Sequence, residues 1–175
     1  FRNTHEHARD DLTGNLLKKS IRAVQARRHS ITPQVLAQIS ADSVIMSAYC
    51  RRLAPRRGRA HLNLLELSVL DSGPGLAARW LGRRIAQGDR MGAELEAVLQ
   101  CFANGTSTKR YPGAGMGLPT MIALTRAANG FLRLRTGAHS LGADLGIEQD
   151  LPLGAPPNLQ PLHGDRIIGR AAGTL

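Results

Sequence analysis

The stretch Leu64-Leu65-Glu66-Leu67-Ser68-Val69-Leu70-Asp71-Ser72-Gly73-Pro74-Gly75 decides the fold. An apolar run ends abruptly in one acid, followed by two glycines that flank a proline. The run is short and dense in Leu and Val, which predicts a strand with much of its length buried. Asp71 stands where that strand leaves the sheet, so its carboxylate can accept hydrogen bonds from a ligand while the strand stays fixed. Gly73 and Gly75 lack a Cβ, which permits a sharp turn and close approach of a flat ligand to the backbone. Pro74 stiffens the turn between them. The same residue types also make an ordinary strand-end turn, so this stretch alone leaves both readings open.

A second stretch bears on the choice. It is Phe102-Ala103-Asn104-Gly105-Thr106-Ser107-Thr108-Lys109-Arg110-Tyr111-Pro112-Gly113-Ala114-Gly115-Met116-Gly117-Leu118-Pro119. Its last three glycines run directly into an apolar, helix-like segment. Backbone N–H groups in such a loop, with the positive end of a helix, form an anion site suited to phosphate. Lys109 and Arg110 add positive charge just upstream. The stretch is not a Walker loop, because no Gly-Lys-Ser/Thr follows the glycines. The spacing also differs from the dinucleotide fingerprint, and no strand leads directly into it.

With the start of the chain, these residues resemble the GHKL superfamily of ATP-binding domains, which includes gyrase, heat-shock chaperone, histidine kinase and mismatch-repair ATPases. Asn3-Thr4-His5-Glu6-His7-Ala8 looks like its asparagine box. Asp71-Ser72-Gly73-Pro74-Gly75 matches its first glycine box, and Gly113 to Leu118 its second, with Met116 inside the motif. The resemblance implies a two-layer α/β sandwich: a mixed, mostly antiparallel sheet, helices on one face and an ATP lid over residues 103–116. It implies that ATP and Mg²⁺ are the ligands. Asn3 is then the Mg²⁺ ligand, a hard amide oxygen suited to an ion that takes few protein ligands. His7 lies near the phosphates, and Asp71 accepts from the adenine amino group, where guanine offers a carbonyl. Gly73 and Gly75 let the base approach. Lys109 contacts the terminal phosphate, and Gly113, Gly115, Gly117 and Leu118 form the phosphate loop. Gly173-Thr174 resembles the dipeptide before the family's closing strand, which puts Thr174 near the adenine. In the ATPase members a glutamate one helical turn before the asparagine activates water. That position precedes Phe1, and Glu6 lies three residues after Asn3, so no residue is assigned as catalytic base.

Composition sets the frame. At 175 residues the chain suits one domain, read as truncated at both ends because it starts inside a motif. Aromatic residues are only 3%, so the core must be aliphatic. The formal net charge is +10, mostly from arginine, which suits phosphate, carboxylate or nucleic-acid contact. The arginines are spread along the chain and form no single block, which favours a coding bias over a dedicated binding surface. Cys50 and Cys101 make neither a disulfide framework nor a zinc site, and suggest a reducing, cytoplasmic setting. No run is long enough to cross a bilayer.

Along the chain, residues 1–12 read as the end of a helix and residues 13–31 as a strand. Thr32-Pro33 starts a helix that reaches about Leu53, broken near Ser40 to Ser43. Residues 33–60 read as an insertion. Short helices are expected over Leu76 to Ala86 and Met91 to Phe102. A third is expected over Leu118 to Ala128, with Met121, Ile122, Leu124 and Ala128 on its apolar face, stopped by Asn129-Gly130. Phe131 to Thr136 alternates as a half-buried strand. Residues 137–165, with several Gly and Pro, read as loop-rich, and Arg166 to Leu175 as strand-like. Three functions fit: an ATPase switch acting with a second copy or a protein partner, a histidine kinase catalytic domain, and a basic nucleic-acid-binding module. The shortage of aromatics disfavours the last.

Overall fold

A computed structural model describes residues 11, 15–18, 20–32, 34–35, 38, 43–53, 61–85, 91–103, 115–152, 154–162 and 171–174, with the backbone alone at 91 and 171–174. The elements are β1 (Arg22–Ile31), α1 (Val44–Leu53), β2 (Leu62–Asp71), α2 (Leu76–Leu81), α3 (Met91–Gln100) and α4 (Gly117–Ala127). They continue with β3 (Phe131–Gly137), β4 (His139–Asp144), a 3-10 turn (Leu145–Ile147), β5 (Gln160–Pro161) and β6 (Ala171–Thr174). The strands form one open sheet in the order β1-β2-β6-β3-β4-β5, and every pairing is antiparallel. The chain is therefore an α/β protein with an antiparallel sheet.

The core forms where β3 and β4 meet α2, α3 and α4. Leu134 of β3 and Leu141 and Ala143 of β4 alternate toward one face. They pack there with Ala77, Ala97, Val98, Phe102 and Ile122, each at most 5% exposed. The aliphatic core expected from composition is thus present, with Phe102 its one fully buried aromatic among the described residues. Trp80 and Ile85 pack against it as expected, but α2 ends at Leu81, because Gly82 turns left-handed at φ 65°. On α4, Ile122 is buried, while Leu124 is 68% exposed and Ala128 is also exposed, so half of the expected apolar face looks outward. Asn129 stops the helix in the left-handed region (φ 55°), and Gly130 follows where a Cβ would strike Thr125.

The other face of the hairpin carries α1. The Tyr49 and Phe131 ring centroids lie 5.1 Å apart. Arg52 grips Asp144 with two bonds, Nη2–H to Oδ1 at 2.6 Å and Nε–H to Oδ2 at 3.0 Å. Helices therefore lie on both faces, where a single face was expected. The helix on the second face comes from the 33–60 stretch.

Other departures have physical causes. β2 was expected to be largely buried, yet Leu65 and Leu67 are 70% and 68% exposed. It pairs with β1 along its full length but, among the described residues, with β6 only at Asp71, so the β1–β2 ribbon runs beyond the sheet's packed centre. The strand expected over 13–31 begins only at Arg22, where the ladder to Asp71 starts. Residues 137–165 are not simply loop. β4 forms there because the tight turn at Gly137 (φ 55°) returns the chain along β3. No helix among the described residues is long and apolar enough to cross a membrane.

The Arg52–Asp144 pair is the checkable anchor of α1. Arg52→Met leaves Asp144, 5% exposed, without its cation. The change should lower stability by about 2 kcal/mol, read as a lower urea midpoint.

Candidate functional site

The first glycine box lies at the end of β2, and its geometry follows from its residues. Asp71 turns its carboxylate back on the chain: the Gly73 N–H donates to Oδ1 at 3.0 Å. A carboxylate accepts at both oxygens, and Oδ2 takes no hydrogen bond among the described residues. Ser72 fastens the turn to β1. Its Oγ accepts from the Ile21 N–H at 2.8 Å, and its own N–H donates to the Ile21 carbonyl at 3.1 Å. Gly75 is left-handed at φ 87°, a conformation that a residue with a Cβ resists. Gly73 is buried in the turn.

Sheet register brings this turn to other strands. Asp71 pairs with Thr174 of β6, and Thr174 pairs in turn with Thr136 of β3. Opposed positions in a ladder share a face, so Asp71 and Thr136 stand on the face that also bears α2, α3 and α4. Two residues 103 positions apart in sequence, Asp71 and Thr174, thus become lateral neighbours.

The end of the second glycine box is also visible. Gly115 is left-handed at φ 84° and releases the chain into α4 at Gly117. No side chain caps that end. Pro119 has no N–H, and among the described residues the Gly117 and Leu118 N–H groups of the first turn have no acceptor. Among the described residues a Cβ on Gly117 would meet nothing within 4 Å, so packing does not require a glycine there. Met116 is 45% exposed. Of the remaining sequence-assigned positions, Asn3, His7, Lys109 and Gly113 lie outside the described residues, as does most of the expected lid.

The sequence reading missed a buried polar group beneath the turn. Thr136 is 1% exposed, and its Oγ1 accepts the Leu76 N–H at 3.0 Å. Glu94 of α3 is 3% exposed and reaches the β3–β4 turn, where its Oε1 lies 3.5 Å from the Ala138 N–H. Its Oε2 lies 3.8 Å from His139 Nε2, and His139 is itself 8% exposed. A signal was present: Glu94 falls on the helical stripe with Ala97, Val98 and Cys101, where an acid is out of place. A cavity of about 350 Å³ lined by Arg126, Gln149 and Leu151 lies at the opposite end of α4 and belongs to a different region. There Arg126 is buried, bonded to Glu148 at 2.9 Å and to the Ala155 and Pro156 carbonyls, and it anchors the helix.

Burial disfavours the thiolate of Cys101, just before the expected lid. Burial pushes its thiol up to about 11, and Sγ lies 3.2 Å from the Ala97 carbonyl. At pH 8 its thiolate should be scarcer than that of an ordinary thiol by roughly a hundredfold. Alkylation followed by mass spectrometry should find Cys101 unmodified in the folded chain and labelled in urea.

Compared with family models, curated proteins and solved structures, the chain matches none.

Proposed function

We propose that the chain is a GHKL-type domain that binds Mg-ATP and acts as an ATP-driven switch. The observation that carries this reading is the lateral pairing of Asp71 with Thr174 at the mouth of a glycine turn. Here a carboxylate has one oxygen committed to the turn and one available, beside a left-handed glycine that leaves room for a flat ring. An adenine offers its amino group to such an acceptor, whereas guanine presents a carbonyl, which a carboxylate repels. The uncapped N-terminal turn of α4, entered through Gly115, supports a phosphate site at a second point on the same chain. Asn3 is the residue assigned to Mg²⁺ on the resemblance. The ion supplies charge neutralisation at the phosphates, where positioning and electrostatics do most of the work in phosphoryl transfer.

In this reading the two-layer sandwich consists of the sheet and the α2–α4 layer, with α1 an addition to the far face. The switch operates through the segment between α3 and α4, which spans the expected lid. Its root is fixed on both sides: α3 packs into the core through Val98 and Phe102, and α4 through Ile122. The intervening sequence is rich in Gly, Ser and Thr, a composition suited to a lid.

Calorimetric titration with ATP and GTP in the presence of Mg²⁺ tests the reading. ATP should bind and GTP should bind more weakly. Asp71→Asn should weaken ATP by about 10- to 100-fold, the worth of a hydrogen bond to a charged acceptor. The variant should unfold at the same urea concentration as the parent. A folded parent that takes up neither nucleotide would refute the proposal.

A further inference from the structure

The turn that carries Gly73 and Gly75 has a structural problem that a residue outside both glycine boxes solves. A helix start leaves N–H groups without partners, and a Ser, Thr, Asp or Asn at the cap position ordinarily accepts one of them. The cap position of α2 is Gly75, which has no side chain, and no cap residue of its own supplies a bond. The missing acceptor comes from across the fold. Thr136, 60 residues later on β3, accepts the Leu76 N–H at its Oγ1 at 3.0 Å. A glycine at the cap keeps the approach to the backbone open, and a threonine on the sheet keeps the helix start satisfied.

Thr136 is itself held. It is 1% exposed, paired on one side with Thr174 and on the other with His139. The next residue, Gly137, is left-handed at φ 55°, and a Cβ there would run into the Glu94 carboxylate. Glu94, buried beside His139, therefore packs directly on the turn that ends β3. The row from Asp71 through Thr174 and Thr136 to His139 crosses four strands at one end of the sheet.

We infer that Thr136 is a positioning residue of the nucleotide site, capping α2 from β3 and so fixing the Gly73–Gly75 turn against which the base is read. This inference rests on the ATP-binding reading above. It makes base discrimination depend on a hydroxyl that need not touch the nucleotide. Glu94 supports it by closing the β3–β4 turn from the helix side.

The test uses Thr136→Val, which keeps the shape and removes the acceptor, and Thr136→Ser, which keeps the hydroxyl. Two readouts are taken on the full chain: the ATP and GTP dissociation constants, and amide hydrogen exchange at Leu76. In Thr136→Val the Leu76 amide should exchange about tenfold faster, ATP should bind about tenfold more weakly, and the preference over GTP should shrink. Amides of the β3–β4 ladder should stay as protected as in the parent. Thr136→Ser should restore both readouts to within about threefold of the parent. If the parent binds ATP and Thr136→Val matches it in both readouts, the inference is wrong and the ATP-binding reading stands. If the parent binds no nucleotide, that reading falls and Thr136 has no nucleotide site to position, whatever Leu76 exchange shows of its capping role. Should Thr136→Val fail to fold, Thr136→Cys, of similar volume and with a weak acceptor, is measured in the same way.

Discussion

The pairing of β6 between β2 and β3 is the constraint on which the rest depends. The last described strand of the chain fills the gap between two strands formed earlier, and it does so with few residues: one register pair to β2 and two to β3. Among the described residues, no other ladder joins the β1–β2 ribbon to the β3–β4–β5 unit. Because the pairing falls at Asp71, Thr174 and Thr136, the joint between the two halves of the sheet is also where the candidate site lies. Non-local pairing of this kind is closed only after a large loop entropy has been met, so the site and the completed sheet should form together.

The two halves are stabilised differently. The β3–β4 hairpin is packed on both faces, by α2, α3 and α4 on one side and by Tyr49 and Arg52 of α1 on the other. The β1–β2 ribbon has a long, regular ladder but leaves Val24, Leu65 and Leu67 largely exposed. Hydrogen bonding along a two-stranded ribbon is marginal without a covered apolar face. Rigidity at the Asp71 end therefore comes from local fastening. Ser72 is tied to Ile21, Gly73 to the Asp71 carboxylate, and Leu76 to Thr136. These bonds hold the turn at the end of the less covered ribbon.

Buried charge is placed with the same economy. Arg52–Asp144 and Arg126–Glu148 each join a helix to the chain around the end of β4, and both arginines also donate to carbonyls. A buried pair contributes little net stability against an apolar replacement, yet its rupture is costly. Such pairs fix which surfaces meet. The first attaches α1 to the far face of the sheet, and the second secures the C-terminal end of α4 and leaves its N-terminal end open.

The sequence by itself determined the elements whose signals are local. The run Leu64 to Leu70 had to be a strand and Asp71 to Gly75 a turn, because those residue types have few other options. Asn129-Gly130 had to stop a helix, and the alternation of Leu132, Leu134 and Thr136 had to face a core. The pairing of β2 with β1, the place of β6 and the side on which α1 packs were decided only by tertiary structure. A period of two sets which residues share a face, but not which strand lies alongside. β4 escaped sequence reading because Gly142 and the polar residues around it look like loop until β3 provides the ladder. Thr136, Glu94 and His139 escaped as a group for the same reason. A buried polar side chain declares its role through its partner, and here every partner lies on another element.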